Sequence, residues 1–240
     1  MFQANPTIRR LAQEGVVTDP LTFNGVIHRT GTLLLVTAVT FMLTWRGLQT
    51  GDLSPAMGFG GSLVGFILAL VIIFTRATNP ILIGAYALTQ GLALGTISYF
   101  ANQRYPGIAI QAVAGTIGCF SVVLWLYSVR VLQATPVFVK VITSAILGIA
   151  LLYLVDLVAG LFGHPLDIVR GNSFASIGLS AVIVLIAAIS FVIDFAAIEV
   201  AVDQGVDARQ GWHFAFALLV GLVWLYLEIL RLLSKLRSRN

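Results

Sequence analysis

Three carboxylates interrupt the most apolar part of this sequence: Asp194 and Glu199 in one long run, and Glu228 in the next, with Arg231 one turn beyond it. A carboxylate deep in a membrane-length apolar run costs several kcal/mol unless it is protonated, paired or facing water. Two carboxylates brought together in a low-dielectric interior cannot both ionise easily, so such a pair shares a proton and responds to pH. Fully ionised, it attracts a hard divalent cation. Asp194 and Glu228 are therefore candidate proton sensors and candidate metal ligands, with Glu199 a further candidate on an ion pathway. The same spacing allows a plainer arrangement, in which Glu228 pairs with Arg231 at i+3 and Asp194 caps a polar helix end. Spacing leaves both open, because Asp194 lies near the loop end of its run and Glu228 nearer the far end of its own.

The run that carries Glu228, residues 211–235, is long enough to cross a bilayer, which takes about 20 apolar residues. Helical spacing puts Glu228 on one face with Trp224, Leu225 and Gly221. That face is small at one end and polar at the other, so the last helix is expected at the centre of a bundle. Six spans precede it, at about 26–45, 57–75, 81–101, 108–129, 137–162 and 173–200. Asn79-Pro80 opens the third and Pro136 the fifth, while Asn102 to Gly107 reads as a turn. Gly61 and Gly65, then Gly91 and Gly95, repeat the small-residue spacing that lets membrane helices approach closely. Asp156, near the end of the fifth span, reads as an interfacial residue reaching the head groups. Residues 1–25 read as a polar tail on the membrane surface or in the cytoplasm, with a short helix starting at Asn5-Pro6-Thr7. No apolar core precedes Val26, so no cleavable signal peptide is expected. Residues 26–236 form the transmembrane domain and 237–240 a basic tail.

Composition agrees with that reading. Of 240 residues 58% are hydrophobic and only 10% charged, with a mean hydropathy of +0.97. The chain is an all-α polytopic membrane protein of seven spans, and its first partner is the lipid bilayer. The net charge of +4 sits in loops and tails, as suits anionic head groups. Lys and Arg never cluster with exposed aromatics, so no nucleic-acid partner is expected. They divide evenly between the two faces, so the positive-inside rule does not set the orientation. Cys119 is the single cysteine, which excludes an internal disulfide. His28, His164 and His213 lie at span boundaries as interface anchors. Neither a His-Glu-x-x-His nor a Gly-x-Ser-x-Gly motif occurs, so an enzyme is not expected, nor a cofactor beyond calcium as a transported ion.

Several segments together resemble the Bax inhibitor-1 (transmembrane Bax inhibitor motif) superfamily, in its longer prokaryotic branch. They are Tyr86-Ala87 with Gly91-Leu92-Ala93-Leu94-Gly95, Tyr105-Pro106-Gly107-Ile108, Thr135-Pro136-Val137-Phe138 and Gly148-Ile149-Ala150-Leu151-Leu152-Tyr153-Leu154. The strongest are Ile193-Asp194-Phe195 with Ile198-Glu199, and Leu222-Val223-Trp224-Leu225-Tyr226-Leu227-Glu228-Ile229-Leu230-Arg231. The resemblance covers nearly the whole chain. It implies a seven-helix bundle with the last helix in the middle, set in the cell inner membrane. It also implies a pH-sensitive leak of calcium or another cation, sensed by one carboxylate on the sixth helix and one on the seventh. Those positions fall on Asp194 and Glu228. An arginine at the end of the second helix, Arg76 here, is implied as the latch of the closed state. Glu228 stands where the better-studied branch has Asp, and the segment between the two carboxylates is longer. Some relatives are linked to regulation, so the alternative expectation is a non-conducting regulator bound to a membrane partner such as a membrane-bound protease.

Overall fold

The computed structural model describes residues 19–239. The expected helix at Asn5-Pro6-Thr7 lies outside the described residues. Seven helices among those described are long and apolar enough to cross a membrane. They are α1 (Phe23–Thr50), α2 (Pro55–Thr75), α3 (Pro80–Arg104), α4 (Ile108–Ser128), α5 (Pro136–Leu161), α6 (Phe174–Asp203) and α7 (Gly211–Arg237). A single helical turn, Asp167–Arg170, lies between α5 and α6. The polar residues between spans set the starts. Thr22, Ser54, Asn79, Thr135 and Ser173 each accept a backbone N–H from the first turn, and at α2, α3 and α5 a proline follows at once. α1 runs past its expected end at Trp45, because hydropathy marks only the apolar stretch while the helix continues to Gly51, whose left-handed φ of 81° ends it.

Lipid tails are as apolar as leucine, so close contact rather than water exclusion must join these helices. The glycine rows supply it. Gly61 and Gly65 of α2 rest on Thr89, Gln90 and Leu92 of α3, and Gly91 and Gly95 of α3 rest on Thr37 to Thr44 of α1. At Gly91 an added Cβ would stand 2.6 Å from the Thr37 carbonyl oxygen, so only glycine fits. The Thr37 hydroxyl donates across the same seam to the Ala87 carbonyl at 3.1 Å. Apolar side chains such as Phe74, Ile81, Ile110 and Leu161 cover the outside.

α7 is the axis, as its sequence implies. It packs against α1, α3, α4 and α6, and no residue from Gly211 to Lys235 is exposed. Ser98 of α3 and Tyr226 of α7 share a 2.6 Å hydrogen bond inside this contact. α7 begins on the face that also holds the end of α2 and the end of α4, called the near face below. It ends on the far face, with the ends of α3 and α5. The described part of the N-terminal tail is fixed rather than loose. Leu21 is buried, its N–H donates to the Val206 carbonyl at 2.7 Å, and the Ala208 N–H donates to Asp19 at 2.9 Å.

Candidate functional site

Glu228 sits on α7 with only 1% of its surface exposed. Three neighbours answer its carboxylate. The Tyr153 hydroxyl, from α5, lies 2.9 Å from both oxygens. The Trp224 indole N–H donates at 3.2 Å, one turn back on α7. The Arg231 guanidinium approaches both oxygens at 3.3 Å and stacks 4.7 Å from the Tyr153 ring centre. The plainer arrangement of the sequence is therefore present: Glu228 is paired with Arg231 at i+3. Only the carboxylate of this pair is buried; the Arg231 side chain is 39% exposed, so solvent screens the pair and it contributes less than a fully buried one.

Asp194 is not part of this cluster. Phe191 of α6 lies against Gly221 of α7, and Lys235 of α7 reaches Ser176 and Ser180 of α6. That antiparallel register puts Asp194 level with Leu218. Glu228 is ten residues further along α7, about 15 Å at 1.5 Å per residue. The expected carboxylate pair is thus not formed in this conformation, and the two groups cannot ligate one metal ion here. Asp194 is half-buried and has no hydrogen-bond partner among the described residues. Among those residues no three His, Cys, Asp or Glu side chains form a metal-holding group.

Glu199 and Arg76 also stand elsewhere. Glu199 lies at the near face, where Arg130 approaches it at 2.5 Å and 3.1 Å and the Tyr127 hydroxyl donates to it. The hydrogen bond to Glu199 pushes the Arg130 pKa up from its ordinary value, so Arg130 keeps its charge throughout the physiological range. The pair is exposed enough to count as a surface pair, which contributes little to stability. Arg76 caps α2 in the left-handed region, at φ 49°, with its side chain exposed. It makes no ion pair among the described residues, so in this conformation it latches nothing.

Asp156 corrects its interfacial reading. It is 7% exposed, accepts the Leu166 N–H at 2.9 Å and pairs with Arg170 at 2.9 Å. The α5–α6 connection folds back over the end of α5 to make both contacts, a return that local spacing does not reveal. Beside it a cavity of about 870 Å³ opens at the far face, bordered by Tyr153, Asp156, Arg170, Arg231 and Lys235. Tyr153 and Arg231, the two residues that close over Glu228, form part of its wall. Sequence reasoning missed Tyr153 and Lys235 as site residues. Only the adjacency of Tyr153 to the polar end of α5 offered a signal, and Lys235 read as the charged end of the last span.

Seven spans with the last at their centre, and a buried, fully partnered carboxylate on that last helix, define a polytopic membrane protein of the all-α class. Residues 3–238 match the family model described as Bax inhibitor 1 like, and the chain belongs to that family. No curated protein and no solved structure matches it significantly.

Proposed function

We propose that the protein is a cation leak of the bacterial inner membrane, from the longer prokaryotic branch of its family, with calcium as the ion and the closed state described here. The observation that carries this reading is the position of Glu228: buried, charge-matched, and separated from a far-face cavity by Tyr153 and Arg231. Ionised, Glu228 draws both of those groups over itself. Protonation removes the Coulomb attraction to Arg231 and turns one acceptor oxygen into a donor that competes with Tyr153. Acid should therefore loosen the cover, and Asp194, without a hydrogen-bond partner among the described residues, would be the next carboxylate along the path. This replaces a proton shared between Asp194 and Glu228 with a proton exchanged against the Glu228–Arg231 pair.

A second reading, a non-conducting regulator that docks a membrane partner, is favoured by one feature. An apolar groove of about 620 Å³ opens sideways between α1, α4 and α6, past Phe23, Ile27 and Leu124. Calcium entry into liposomes holding purified protein separates the two. A leak closed by that cover gives more flux in Glu228→Gln than in the wild type at the same pH, and any rise of flux in acid is lost in that variant. Flux no greater than in empty liposomes removes the leak reading. A pH response that survives Glu228→Gln removes the gate.

A further inference from the structure

We propose that the far-face cavity is a binding site for a phosphate group, presented by an anionic phospholipid or as a free phosphate. The inference goes beyond the leak reading and does not depend on it. Four cationic side chains border this one cavity: Arg104 at the end of α3, Arg170 on the turn before α6, and Arg231 and Lys235 on α7. Two are matched by carboxylates, Arg170 by Asp156 at 2.9 Å and Arg231 by Glu228 at 3.3 Å. The other two have no acidic partner among the described residues. Arg104, on the border of the cavity, donates from Nε to the Tyr105 hydroxyl at 3.2 Å, and its terminal nitrogens have no hydrogen-bond partner among the described residues. Lys235 is 6% exposed, and its ammonium donates to the Ser176 and Ser180 hydroxyls at 2.8 Å each and to the Ser176 carbonyl at 3.3 Å.

An ammonium held by neutral acceptors alone keeps its full charge uncompensated, and low-dielectric walls focus that field into the cavity. The site thus carries two positive charges beyond the acids already matched to it. That balance suits a phosphate: the Arg104 fork can bind it with charge-assisted hydrogen bonds, while Lys235, whose three N–H groups already serve the serines, adds its positive field. A calcium ion gains nothing there, because the Asp156 carboxylate already accepts from Arg170 and from the Leu166 N–H. The cavity lies among helix ends on one face, the level of lipid head groups. Phe100 and Leu157 give it an apolar wall, exposed on the bundle surface, along which an acyl chain can run. Its volume of about 870 Å³ falls within the range of small-molecule sites.

Native mass spectrometry of the purified chain, titrated with phosphatidylglycerol and with phosphatidylcholine, tests the proposal, with sodium phosphate as competitor. The wild type should hold phosphatidylglycerol about tenfold more tightly than phosphatidylcholine, and Arg104→Gln and Lys235→Met should each remove most of that preference. Arg46→Gln, an exposed charge at the same face, should leave it intact. Displacement by millimolar phosphate assigns the site to a free phosphate, and retention assigns it to the lipid. Equal binding of the two lipids together with no phosphate binding overturns the proposal. So does a preference that survives Arg104→Gln or falls equally in Arg46→Gln. Should Lys235→Met fail to fold, Arg104→Gln alone decides, because its side chain is exposed and supports no core contact.

Discussion

Replacing Tyr153 with phenylalanine deletes one oxygen and leaves the ring. The lost hydroxyl lies 2.9 Å from both oxygens of Glu228, a residue 1% exposed, so the buried carboxylate loses one of its three donors. A hydrogen bond to a charged group is worth about 1.5–3 kcal/mol, and each 1.4 kcal/mol is a factor of about ten. The phenylalanine ring still lies beneath Arg231, so the 4.7 Å stacking contact is kept and only the hydroxyl is tested. If Tyr153 helps to close the bundle, Tyr153→Phe should shift the balance toward the open state by roughly ten- to a hundredfold. The readouts are calcium flux at pH 8 and thermal unfolding in detergent. The cycle with Glu228→Gln isolates the contact: Tyr153→Phe should cost at least about 1 kcal/mol less when Glu228 is already neutral. If the substitution leaves flux and stability unchanged, or costs the same in both backgrounds, the hydroxyl does not act through Glu228 and the closed-state argument fails.

Four further expectations follow from the geometry. Asp194→Asn and Glu228→Gln should act additively on flux within about 0.5 kcal/mol, as groups more than about 10 Å apart do; a larger coupling would mean that the two carboxylates meet in another state. Gly91→Ala should destabilise the bundle by about 1–3 kcal/mol through the clash with the Thr37 carbonyl, read as a lower unfolding temperature. Gly84→Ala, where an added Cβ meets nothing within 4 Å, should instead leave that temperature equal or raise it. Arg76→Gln should change neither stability nor flux, since Arg76 makes no ion pair among the described residues; a change in flux alone would restore its role as a latch.

The spans were legible because a bilayer demands length and apolarity, and both are visible residue by residue. The central place of α7 was legible from Glu228, since a lipid-facing helix has nowhere to put a carboxylate. The glycine rows were legible as close contacts because small residues four apart lie on one helix face. What local spacing could not supply was the register between helices. The loop after α6 and the seat of Phe191 on Gly221 together decide that Asp194 faces Leu218 and not Glu228. Tyr153 comes to Glu228 from a helix 75 residues earlier, and Lys235 finds its serines 59 and 55 residues away. Such partners depend on how helices are arranged around α7, and no periodicity within one helix encodes that.

The α7 register also has an electrical consequence. Between Glu228 and the level of Asp194 the bundle is filled by buried apolar side chains, Leu219, Val223, Phe191 and Val192 among them, over about 15 Å. An aqueous cavity that reaches nearly to Glu228 is an equipotential extension of the far-side solution. The membrane potential therefore falls over the part of the bundle beyond the cavity, and that dry stretch spans about half of a hydrocarbon core of about 30 Å. A unit charge that crosses the whole potential exchanges about 2.3 kcal/mol per 100 mV, and the stretch between the two carboxylates takes more of that work than its share of the bilayer thickness. An ion or proton moving between the two carboxylates would sense a strengthened field, so the polarity of the membrane becomes a control on the pathway beside the pH.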